Sequence, residues 1–338
     1  MTHSHLPTPG LLARLPLDVL YPAAYRAAHG AEITAVFAEA VEHTDRRTAL
    51  REWSALAAHA VRLRTKLSSR DPAGRIIAGA APFLLAGGAA VSLVHLLLDL
   101  FLSDSWELGS PAVRIAVGTA QTAPWVLALL CAALGRWAPA RALVLPAVAA
   151  RIVGAVVAQA DPGAGLDRGT SLLVLWSVIG VLVLIAPPDA VDLTRQDRSR
   201  TTAAALAIAL PMSGAAALWL NAWPYDDSSY RNVSFAPSYQ ALFDVATAWP
   251  AFVIGLAYLG LLAAPGTDRL RAAGIALAAL PWTLLVAPPQ YGIGPADVHN
   301  LYRTGIVLAV LAAATTLGLL LRTRRHTGRT EPDPASAA

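Results

Sequence analysis

Charge is what this sequence has least of. Only 14% of its 338 residues are Asp, Glu, Lys or Arg, against roughly 25% in ordinary soluble domains. A soluble fold of this length needs far more polar surface to cover itself, so that class is excluded. Lysine is almost missing: Lys66 is the single one among 26 Lys and Arg residues. That bias, with abundant alanine, matches GC-rich coding rather than a selected basic patch. The pI near 9.5 therefore does not point to nucleic acid. A lone cysteine, Cys131, excludes an internal disulfide and a cysteine-built metal site. The Gly-Lys-Ser/Thr phosphate loop, His-Glu-x-x-His, Gly-x-Ser-x-Gly and Cys-x-x-Cys are all missing, so motif support for an enzyme is weak. No cofactor and no metal is expected. "HSH" at 3–5 reads as a disordered start, and His43, His59 and His326 fall on polar stretches. No signal-peptide pattern stands in the first 75 residues, so the first apolar run is expected to target the chain itself.

What the sequence has instead is apolar runs. Residues 1–75 look soluble, and nearly everything from Ile76 to Leu321 alternates apolar stretches with short polar gaps. A spanning helix needs about 20 apolar residues. The runs place eight spans, near 76–102, 112–134, 139–160, 170–187, 201–222, 245–265, 272–289 and 301–321. The expected fold is all-α: a polytopic membrane bundle (76–321), a small cytosolic N-terminal helical domain (1–75) and a disordered cytosolic tail (322–338). Of the 26 basic residues, 21 fall in 1–75, in the gaps 135–141, 188–200 and 266–271, and after 321. By the positive-inside rule both termini are cytoplasmic, in a bacterial plasma membrane. Trp106, Trp176, Trp219, Trp223 and Trp249 gather at the opposite boundary, as an interfacial belt or as the walls of an outward vestibule. The long exterior gap 223–244 mixes acids with aromatics and is a candidate functional loop. Pro82, Pro124, Pro146, Pro211, Pro250 and Pro281 each remove a backbone donor, tolerated only where a neighbour satisfies the freed carbonyl. Dense small residues, as in "AGGAA" at 86–90, permit close helix packing.

In the N-terminal segment three helices are expected. The first runs near 16–28 and stops at Gly30. The second carries Ile33, Phe37 and Val41 on one face. The third runs from Asp45 to about Leu67, with Leu50, Trp53, Ala57, Val61 and Leu63 as its apolar stripe. "LYPAAYRAAHGAEITAVFAEA" at 20–40 resembles the helical prefix that precedes the membrane portion of bacterial permease-like proteins. Tyr21, Pro22, Tyr25, Arg26, Gly30 and Glu32 carry the likeness, with Ala31 interrupting the Gly-Glu pair. It is also similar to cytosolic segments of multi-pass proteins from high-GC Gram-positive bacteria. The resemblance covers about 60 residues and implies docking of a cytosolic partner or regulation rather than chemistry. The membrane part departs from the permease layout.

Polar groups inside apolar runs are costly in lipid and tend to face the bundle interior. His95 and Asp99 stand four apart in "LVHLLLDLFL", on one helical face. Arg114 and Gln121 occupy the second run, and Arg151 sits near the middle of the third with Gln159 beyond it. Asn221 and His299 lie near the outer boundary. These residues are either structural ion pairs, Asp99 with Arg114 or Arg151, or an outer-half pocket with Arg151 for an anionic group and His95 as a titrating neighbour. Three function classes stay open: a regulatory or sensory protein, a transporter or transporter-associated permease subunit, and an intramembrane enzyme on a lipid-linked substrate. Polar residues are sparse in the inner half, chiefly Ser213, Thr315 and Thr316, which favours the first. The lipid bilayer is the one firm partner.

Overall fold

A computed structural model describes residues 20–42, 46–101, 111–160, 170–222, 237–263 and 268–284, and helical pieces within 305–317. Among the described residues the chain is all-helical, 89% of them helix and none in a strand. It divides into two compact units, Met1–Arg75 and Ile76–Ala338.

The N-terminal unit pairs α1 (Ala23–Glu42) with α2 (Arg46–Arg64). α1 runs straight through Gly30, which corrects the stop expected there. A helical glycine costs about 1 kcal/mol relative to alanine but ends a helix only in a left-handed cap. Gly30 instead keeps its carbonyl bonded to the Thr34 hydroxyl at 2.9 Å. The stripe on α2 is also shifted from the expected one. Leu50 and Val61 are exposed, whereas Ala49, Trp53, Leu56 and Ala60 turn inward; Phe37 and Ala49 form the centre, covered by Leu20, Trp53 and Leu56. Tyr21 is fully buried, its hydroxyl 3.3 Å from both the Leu56 carbonyl and His59 Nδ1, and its ring stacks on Tyr25 at 5.3 Å. Burial raises its phenol pKa above the ordinary value; Tyr25 adds to this and Arg62 opposes it. Lys66, in left-handed backbone, closes α2: Leu67 N–H bonds the Arg62 carbonyl and Lys66 N–H that of Leu63.

In the second unit α3 (Pro72–Phe101), α4 (Pro111–Ala133), α5 (Trp137–Ala160), α6 (Thr170–Ile185), α7 (Arg195–Ala222), α8 (Pro237–Ala263) and α9 (Arg269–Ala279) follow in order, the last continued by a 3₁₀ turn, Leu280–Leu284. Three stretches are long and apolar enough to cross a membrane: Pro72–Leu97, Ile115–Ala133 and Trp137–Gly154. Leu173–Ile185 and Trp249–Leu262 are shorter apolar helices. The protein is therefore a membrane protein by its helices. α3 is the central one, 83% of its apolar window being buried against 28% in α4 and α5. Its small residues allow this. Gly79 lies against the Arg271 backbone, and Gly274 of α9 meets the backbone of Ile76 and Ala80, so neither site has room for a Cβ.

The prolines explain local departures. Pro281 has no N–H for the Leu277 carbonyl, which instead accepts from Leu280 N–H, tightening the end of α9 into the 3₁₀ turn. Pro211 likewise cannot serve Ala207, and the indole N–H of Trp249 on α8 donates to that carbonyl at 2.7 Å. Trp249 is thus a helix-to-helix strut. α4 ends in a left-handed Gly135, with Arg136 N–H on the Cys131 carbonyl and Gly135 N–H on that of Ala132.

Candidate functional site

Ser92 is the hub of a polar cluster built by four helices. It is fully buried on α3, and the Thr122 hydroxyl of α4 donates to its carbonyl at 3.0 Å. From α5, Arg151 Nη2 donates to Ser92 Oγ at 3.2 Å. The guanidinium carbon stands 4.7 Å from the ring centroid of Trp176 on α6, a cation–π distance. His95 lies one turn beyond Ser92 on α3, within electrostatic reach of Arg151. Gln121 packs its amide over Gly154, one turn past Arg151, where a Cβ would collide with it.

Beneath this cluster sits an aromatic layer. Trp176 pairs with Trp125 at 5.2 Å and meets Trp282 edge-on at 6.3 Å. Gly87 and Gly88, about one turn before Ser92, make room for it, Gly87 under Trp282 and Gly88 under Trp125 and Trp176. Trp176 is only 2% exposed, and Trp125 and Trp282 are sealed completely. Trp176 is therefore a core residue facing the bundle interior, not a member of a lipid-facing belt. A ring tied to a guanidinium and two other indoles has its partners inside the bundle.

Of the residues singled out by sequence, His95 stands within electrostatic reach of Arg151, and Gln121 packs against Gly154, one turn from Arg151. The side chains of Asp99, Arg114, Gln159 and Asn221, and His299 with most of the loop 223–244, lie outside the described residues. Ser92, Trp125 and Trp282 escape the sequence reading. The adjacent glycines at 87 and 88 are the signal that a bulky neighbour crosses there.

A second polar cluster joins the loop before α7 to α9. Arg271 places Nη1 2.8 Å from Asp192 Oδ2 and Nη2 2.6 Å from Asp197 Oδ1; Arg200 adds a contact to Asp197 at 3.3 Å. Thr194 caps α7, its hydroxyl 2.9 Å from Asp197 Oδ2 and 3.4 Å from Asp197 N–H. Partial burial pushes the Asp192 carboxyl up, but the adjoining Asp197 carboxyl, the Thr194 amide and Arg271 outweigh it and leave its pKa lowered. Nearby, Arg141 Nη2 donates to the Leu184 carbonyl and Arg198 Nη1 to that of Ala133 at 3.3 Å, satisfying the ends of α6 and α4.

Comparison with known proteins finds no matching family model, no matching curated protein and no matching solved structure.

Proposed function

We propose that this chain is a multi-pass membrane protein of regulatory or sensory type, whose bundle holds a small anionic ligand at Arg151. The reading includes about eight spans and cytoplasmic termini in a bacterial plasma membrane, supported by the apolar runs and the distribution of arginine. One observation carries it: Arg151, Ser92 and His95 converge inside the bundle, the guanidinium oriented by a neutral hydroxyl and a ring face. A guanidinium carries five donors in a planar fork, a shape that matches the paired oxygens of a carboxylate or phosphate. The three-tryptophan layer lies on the side of the Arg271 cluster and favours a pocket open one way over a path through the bundle. The likeness of residues 20–40 to permease-type prefixes supports a docking role for the N-terminal unit.

Intrinsic tryptophan fluorescence tests the site, because Trp176 stacks on the ligand-bearing arginine. The full chain in neutral detergent is titrated with acetate, butyrate and inorganic phosphate. The wild type should give a saturable change with at least one anion, about tenfold weaker in Ser92→Ala, as expected from losing about 1.4 kcal/mol. Arg151→Gln should give none while unfolding at the same temperature. A wild type that responds to none of the three, or an Arg151→Gln response equal to it, overturns the reading.

A further inference from the structure

We propose that the groove between the end of α4 and the first three turns of α7 binds one anionic phospholipid of the adjoining leaflet. Ala133, Arg195, Arg198, Ser199, Thr202 and Leu206 line this space of about 510 Å³. Ala133 is the last residue of a stretch apolar enough to cross a membrane, so the groove sits at the level where lipid gives way to water. Arg198 is held there by its bond to the Ala133 carbonyl, and Gly135 is shaped to let it pass, a Cβ at that position falling 3.2 Å from Nη1.

Charge and apolarity divide the groove in the manner of a lipid. Asp192 and Asp197 are already engaged by Arg271, with Arg200 also on Asp197. Arg195 is exposed and, like Arg198, forms no ion pair among the described residues, so two positive charges stay uncompensated at one rim. The Ser199 and Thr202 hydroxyls donate to the Gln196 and Arg198 carbonyls, which leaves anion recognition to the guanidinium groups. Below the rim, Leu206 and Leu210 on α7 are 53% and 67% exposed, and Leu127, Leu130 and Leu134 form a second exposed stripe on the α4 side. A phosphate at the arginines would lay its acyl chains along these two stripes. Basic pockets between membrane helices bind anionic headgroups in this way, at about 1 kcal/mol per arginine.

Native mass spectrometry of the full chain, released from neutral detergent with equal phosphatidylglycerol and phosphatidylcholine, tests the assignment. The wild type should retain one phosphatidylglycerol in clear preference to phosphatidylcholine. Arg195→Gln should lower that retention about fivefold, the equivalent of about 1 kcal/mol, and Arg195→Lys should keep most of it. Arg269→Gln, at an exposed arginine outside the groove, should change nothing. Equal retention of the two lipids overturns the proposal, as does an equal loss in Arg269→Gln. Displacement of the lipid by millimolar inorganic phosphate would also overturn it, by marking a free-anion site instead.

Discussion

Arginine is used in two ways in this bundle, at its loop end and in its interior. At the loop end Arg141 and Arg198 donate to the last carbonyls of α6 and α4, and Arg271 closes on two carboxylates. Each meets a partner that helix ends or loops supply. In the interior Arg151 rests on a serine hydroxyl and a tryptophan face that three separate helices must bring together. The difference is one of purpose. The first set holds the helices where they are, and removing a member should unfold something. The second places a charge where packing alone would have put a leucine. Variants at the loop end should therefore be read in stability and variants at Arg151 in ligand response.

The largest loss is expected at the loop end. Arg271→Ala leaves Asp197, whose side chain is only 10% exposed, without its shortest partner. Stripping one member from a buried pair costs about 3 kcal/mol, here toward the lower end because Arg271 is partly open to solvent. The apparent melting temperature in detergent should fall accordingly, and Asp197→Asn in the same chain should return part of it. Acid tests the same clamp. The Asp192 carboxyl is lowered in the folded chain, so its stabilisation is complete above the unfolded value of about 3.9. It is lost as pH falls through the lower folded value. Melting temperature should drop there in the wild type and less in Arg271→Ala. An equal drop in both removes Asp192 from the explanation.

The interior is expected to answer to volume rather than charge. A Cβ on Gly88 would lie 2.9 Å from Trp125 Cε3 and 3.5 Å from Trp176 Cζ3. Overpacking of this kind costs about 2 kcal/mol, and because it bears on the ring under Arg151, Gly88→Ala should also alter the fluorescence titration. Gly214 on α7 is the control: nothing lies within 4 Å of its would-be Cβ. Gly214→Ala should be neutral or raise stability by about 0.5 kcal/mol. Equal losses at both glycines would show that helix flexibility, not the tryptophan layer, is being measured.

How much of this is legible in the sequence follows from what periodicity encodes. The runs expected at 112–134 and 139–160 correspond to α4, Pro111–Ala133, and α5, Trp137–Ala160, because hydropathy and Gly135 are local signals. The all-helical class and the membrane class rest on the same signals. Partner choice is not local. Nothing in "LLVLWSVIG" says that Trp176 turns toward Arg151 rather than toward a headgroup. Arg198 reads as a topological charge until the end of α4 is seen beside it. The register of α2 is mistaken by one residue because alanines at 49 and 60 count for little in a hydrophobic pattern, yet both are buried and Ala49 is what fits against Phe37 in so small a core. His95, Gln121 and Arg151 are legible as a group, since polar residues in apolar runs have few places to go. Ser92 is not, being small enough to pass as a packing residue.

The smallest effect is the most specific. Trp249 donates to the Ala207 carbonyl that Pro211 leaves without its helical partner. Trp249→Phe keeps most of the ring and removes the donor, and because the bond lies on an exposed face of α7 its loss costs about 1 kcal/mol. In Pro211→Ala the new N–H can take the carbonyl back, and Trp249 then competes for an acceptor already used. The double variant should consequently be more stable than Trp249→Phe alone, although each change by itself removes a native feature. Melting temperatures of the four chains give the coupling directly. If the losses simply add, the indole is packing against α7 rather than repairing it. The Ala207 carbonyl would then need another partner.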